Sequence, residues 1–77
     1  MVTIHREAGF RFVIFTDDHE PAHVHVYGDG SARIDIAGSV PVLVQADGMK
    51  AGDLRKAMRI AADRQADFLA RWRTMHG

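Results

Sequence analysis

The nine residues Asp17-Asp18-His19-Glu20-Pro21-Ala22-His23-Val24-His25 hold six ionisable side chains. His23 and His25 stand two apart in an alternating run. On a strand both rings would leave the same face, about 7 Å apart by strand rise. Two imidazoles so placed can hold one divalent metal ion between them. A carboxylate from Asp17 or Asp18, or the ring of His19, would complete the shell. Without a metal, the same pair suits acid–base chemistry on a phosphodiester. His23 and His25 would move protons, Arg11 or Arg33 would stabilise the pentacoordinate phosphate, and Tyr27 could stack an RNA base. That is the equipment of a metal-independent ribonuclease. Two histidines alternating with valines also describe the wet face of an amphipathic strand.

The acidic segment ahead of the pair can fold back over it. Pro21 stiffens this loop, and Asp17, Asp18 and Glu20 have no local partners in sequence. At least one of His23 and His25 is therefore expected to hydrogen-bond a carboxylate or carbonyl from residues 17–21. Such a bond fixes which ring nitrogen stays free, as a general base or a metal ligand requires.

The elements that must position these groups are legible from periodicity. Val2 to Arg6 reads as a first strand. Phe10 to Thr16 is rich in β-branched and aromatic residues and reads as a second. His23 to Tyr27 alternates cleanly, with Val24 and Val26 opposite His23, His25 and Tyr27. After a Gly28-Asp29-Gly30 turn, Ala32 to Ile36 alternates again. Val40 to Val44 reads as a short last strand, placed on an edge by Pro41. From Ala51 to Met75 the period becomes helical, with Leu54, Ala57, Ala61, Phe68 and Trp72 on one side. The expected fold is α+β over residues 1–77 as a single domain: an antiparallel β-meander of four or five strands packed by one long C-terminal helix. Ile4, Phe12, Ile14, Val24, Val26, Ile34, Leu54, Phe68 and Trp72 should form the core. Hairpin pairing would bring Arg11, His23, His25, Tyr27, Arg33 and Asp35 to the opposite face. Val13 and Phe15 would join them there as apolar contacts for a partner protein.

Composition narrows the classes. There are no cysteines, so disulfides and thiolate metal sites are excluded. His5, Arg6 and Glu7 interrupt any apolar N-terminal run, and no stretch approaches a membrane span. The expected location is cytoplasmic, away from membranes. Ten Lys and Arg balance ten Asp and Glu, which gives no bulk electrostatic case for nucleic acid. A neutral chain with an apolar second face is expected to associate, as a homodimer or with another protein. No phosphate-binding loop, dinucleotide glycine fingerprint or nucleophile elbow is present.

Val2-Thr3-Ile4, Arg6-Glu7-x-Gly9-Phe10-Arg11-Phe12, Asp18-His19-x-Pro21-x-His23-Val24-His25-Val26 and Leu69-x-x-Trp72 together resemble the short bacterial family catalogued as domain of unknown function four-one-six-zero. The resemblance covers nearly the whole chain, and the Pro-x-His-Val-His-Val block is its most specific part. Ala22 stands where the family often has a second proline, and the histidine pair is intact. The resemblance implies a two-gene cassette like a toxin–antitoxin module, in which a small protein binds the product of the adjacent gene, in one arrangement as the toxin. The reading that combines these signals is a module component acting through partner binding. The ribonuclease and the metal-binding protein are its alternatives.

Overall fold

The computed structural model describes residues 1–77. The strands β1 (Val2–Glu7), β2 (Phe10–Ile14), β3 (His23–Gly28), β4 (Gly30–Asp35) and β5 (Val42–Asp47) precede the helices α1 (Ala51–Asp63) and α2 (Gln65–His76). The sheet order follows the chain, β1-β2-β3-β4-β5, and every pair is antiparallel. This is the expected α+β meander, with two helices in place of the one long helix.

Alternation sends Phe12, Ile14, Val24, Val26, Ala32, Ile34 and Ile36 to one face. There they join Ala57, Ile60, Ala61, Phe68 and Trp72 in one buried apolar cluster. Eight of the nine expected core residues are buried; Leu54 is half-buried against the cluster. The small Ala57 and Ala61 let α1 approach the sheet closely. No helix is long and apolar enough to cross a membrane.

The break between the helices falls at Arg64, whose φ of −109° and ψ of 9° leave the helical well. Neither proline nor glycine marks it. Hydrogen bonds from Arg64 N to Ile60 O and from Phe68 N to Arg64 O continue across it. The next side chain, Gln65, donates to the carbonyls of Ile36 and Gly38, which ties α2 to the end of β4.

Strand boundaries also shift from expectation, most clearly in β2 and β5. β2 stops at Ile14 because Phe15 leaves the ladder: its N–H donates to the Asp18 carboxylate, and its carbonyl accepts from Asp18 N. β5 starts two residues late and runs on to Asp47. Its far half pairs with Ser31, Ala32 and Arg33 of β4, past an irregularity between the Gln45 and Leu43 pairs.

Gly30 closes the β3–β4 hairpin with φ +97°, and a Cβ there would lie 2.5 Å from the Gly48 carbonyl carbon. Both the conformation and the contact exclude a side chain. Gly30→Ala should cost at least about 2 kcal/mol in urea denaturation, the sum of a left-handed alanine and an overpacked backbone contact. A loss under 0.5 kcal/mol would show that the β5–α1 connection at Gly48 yields freely.

Candidate functional site

Strand register assembles the second face. Arg11 faces Tyr27, Val13 faces His25, His25 faces Arg33, and His23 faces Asp35 across the ladders. The sequence-derived set of Arg11, His23, His25, Tyr27, Arg33 and Asp35 thus occupies neighbouring rows. Arg11 is drawn off by Tyr27, its guanidinium carbon 5.4 Å from the ring centroid.

The acidic loop folds back onto the histidines as expected. His23 Nδ1 lies 2.9 Å from the carbonyl oxygen of Pro21. That oxygen can only accept, so Nδ1 carries the proton and Nε2 is the free nitrogen. His23 Nε2 and His25 Nε2 both face the same oxygen, Asp18 Oδ2, at 3.2 and 3.3 Å. The three donor atoms lie within 4.8 Å of one another. His23 is 2% exposed; His25 and Asp18 are half-buried. His19 is exposed and stands outside this cluster, so the only imidazoles that converge are those of the pair.

The electrostatics of this triangle are unusual. In its neutral form His23 points a lone pair at a carboxylate oxygen, two acceptors 3.2 Å apart. Such a contact is stable only with a cation between them, a proton or a metal ion. His25 Nε2 is buried and makes no hydrogen bond. Burial pushes the His25 pKa below its ordinary value of 6.5; the Asp18 charge opposes this, and the His23 and Arg33 charges add to it. His25 is therefore held neutral, with a nitrogen to offer a metal.

A depressed histidine pKa has a definite sign in stability. The unfolded chain binds the proton more readily, so the contribution is complete above about pH 6.5 and is lost as pH falls through the lower folded value. Wild type should therefore lose melting temperature on acidification below pH 6.5, and His25→Ala should lose less over the same window. Equal losses would place the acid sensitivity elsewhere.

Groups that sequence reasoning missed complete the surroundings. Trp72 of α2 packs its ring against His23, with centroids 5.0 Å apart, and donates Nε1–H to Glu20 Oε1 at 3.3 Å. His76 stacks on Trp72 at 3.8 Å. Its two ring nitrogens reach the carbonyls of Trp72 and Phe15. The end of α2 thereby clasps the loop that carries Asp18. The spacing of Trp72 and His76, four apart on a helix, puts them on one face in the sequence, but nothing local points to residues 15–20 as their partners.

The expected partner surface needs correction. Val13 is 0% exposed, although it lies outside the apolar cluster. It sits between Thr3 and His25 in register, and Phe15 turns edge-on to the His25 ring at 4.7 Å. A partner cannot reach the Val13 side chain, and the half-buried Phe15 belongs to the wall of the histidine site. Apart from Met1 and Val2 at the start of β1, the exposed large apolar residues are on and beside β5: Val42, Leu43 and Val44 are 55%, 39% and 50% exposed, and Val40 precedes them.

A family model described as Domain of unknown function (DUF4160) matches residues 9–73. The chain belongs to this family. The matched span of the DUF4160 domain runs from the start of β2 through Trp72, and so includes the loop, the histidine pair and the helix that covers them. No curated protein and no solved structure matches the chain.

Proposed function

We propose that this protein binds a divalent transition-metal ion at Asp18, His23 and His25. The observation that carries the reading is the convergence of two imidazole nitrogens on one carboxylate oxygen at 3.2 and 3.3 Å. A tetrahedral ion with ligands at about 2.0–2.2 Å keeps neighbouring donors about 3.3–3.6 Å apart, and an octahedral ion about 3 Å. The donor set, two histidines and one carboxylate, suits zinc or iron(II) and leaves positions open to water or substrate. The Pro21 carbonyl on His23 Nδ1 is the outer partner that a ligating histidine ordinarily has. The metal-independent ribonuclease is less well supported, because His23 is closed to solvent and both rings turn onto a carboxylate instead of flanking an open phosphate site.

The test is calorimetric titration of the metal-free chain with zinc, repeated with cobalt(II) to read coordination from visible absorption. One equivalent should bind, and Asp18→Asn should weaken it by at least about tenfold through loss of the anionic ligand. Binding of equal strength in Asp18→Asn would exclude this centre.

A second reading, a component of a toxin–antitoxin-type pair acting through its cognate protein, is favoured by β5. An edge strand offers unpaired backbone groups for strand addition, and here its first three side chains are apolar as well. Sedimentation of the chain alone and with the adjacent gene's product should show an associated species that Val44→Lys dissociates. Unchanged mass in that variant would remove β5 from the interface.

A further inference from the structure

Past the histidine triangle, two cross-strand rows run side by side on the second face. One is His25–Arg33–Gln45, the other Tyr27–Ser31–Asp47. Between them lies a cleft of about 170 Å³ lined by these six residues and Ala32. Arg33 is its only cation. Arg33 Nε is buried and has no hydrogen-bond partner; Asp35 Oδ1, its ion-pair neighbour, is 3.9 Å away and is also unpaired. That separation is beyond hydrogen-bond reach.

A buried donor left unpaired is costly. That nitrogen lies toward Asp35, outside the cleft; the Arg33 side chain as a whole is 36% exposed and lines the cleft, so the rest of its guanidinium is open to a group that enters. Guanidinium nitrogens only donate, so the incoming group must accept, and the planar fork matches the oxygens of a phosphate or a carboxylate. Tyr27, Ser31 and Gln45 supply further hydroxyl and amide groups in the same walls. Asp47 restricts the ligand, because an anion spread over the whole cleft would meet its carboxylate. The fit is to a single terminal oxyanion at the Arg33 end. His25 belongs to both places: its ring walls the cleft and its Nε2 is one corner of the triangle.

We infer that this cleft binds a small molecule through a terminal oxyanion, phosphate or carboxylate, held by Arg33, with the rest of the molecule directed toward the His25 side. The inference rests on the metal reading only for what the far end of the ligand meets; the capture of the oxyanion requires Arg33 alone.

Inorganic phosphate and acetate, titrated separately into the isotope-labelled full chain, test it by amide shifts, first metal-free and then zinc-loaded. Saturable shifts are expected at Tyr27, Ser31, Arg33 and Gln45. Arg33→Gln should weaken them at least tenfold while its zinc affinity stays within threefold of wild type. Arg33→Lys, which keeps the charge and loses the fork, should fall between, and it serves if the glutamine variant folds poorly. Asp18→Asn, which lies outside the cleft walls, should weaken zinc and keep phosphate. Phosphate binding alone would identify phosphate esters, and binding of both probes would extend the class to carboxylates. Arg33-dependent phosphate binding in a chain that takes no zinc would remove the metal centre and leave the cleft standing. Absence of saturation, or equal affinity in Arg33→Gln with or without zinc, would overturn the inference.

Discussion

Trp72→Ala should lower the unfolding free energy by about 3–5 kcal/mol, the usual cost of truncating a buried aromatic to alanine. Trp72 is the largest fully buried side chain, and it connects three parts of the molecule. Its ring closes the apolar cluster, packs on His23 and carries the stacked His76, while its indole N–H reaches Glu20. The substitution removes all four contacts at once. A small domain has about 5–15 kcal/mol in total, so the loss is a large share of it. Chemical denaturation measures the effect directly. A loss below 1 kcal/mol would show that α2 is not held to the sheet by this residue. Trp72→Phe should recover most of the packing but not the bond to Glu20, and should fall within about 1–2 kcal/mol of wild type.

The second large effect concerns zinc. His25→Ala should weaken zinc by at least about 100-fold, because a lost ligand costs no less than the loss of an outer partner does. The metal-free variant should stay within about 1 kcal/mol of wild-type stability, as for other partly exposed substitutions away from the core. His25 is the better probe of the pair. His23 is buried against Trp72 and bonded to Pro21, so His23→Ala would remove a ligand and open a cavity together. Measured side by side, His25→Ala separates binding from folding and His23→Ala does not. A His25→Ala chain that binds zinc as tightly as wild type would place any metal site elsewhere.

Much of this was legible in the residues. The alternation of Val24 and Val26 against His23 and His25 sorts β3 into an apolar and a polar face, and hairpin pairing then brings Arg33 beside His25 without further information. The fold-back of the acidic loop was legible too, since Pro21 and the unpartnered carboxylates leave few other arrangements. Alternation says which face a residue takes but not what covers it, and that is why Val13 looked exposed. The helix break at Arg64 has no local signature, and the contacts beside it are long-range: Gln65 meets carbonyls 27 and 29 residues earlier in the chain. The contact of Trp72 with Glu20 spans 52 residues and is invisible for the same reason.

The clasp at the end of α2 also sets an order of events during synthesis. Each strand pairs with its neighbour in sequence, so the hairpins can form as the chain leaves the ribosome. The cover over His23 cannot, because Trp72 and His76 follow every strand in the chain. Until they emerge, the nascent sheet carries its histidine pair open to water and to any ion in solution. A chain released before Trp72 should keep a sheet that pairs and lack the pocket wall that shields His23. The histidine–carboxylate triangle would therefore be assembled early and enclosed only once α2 has been made.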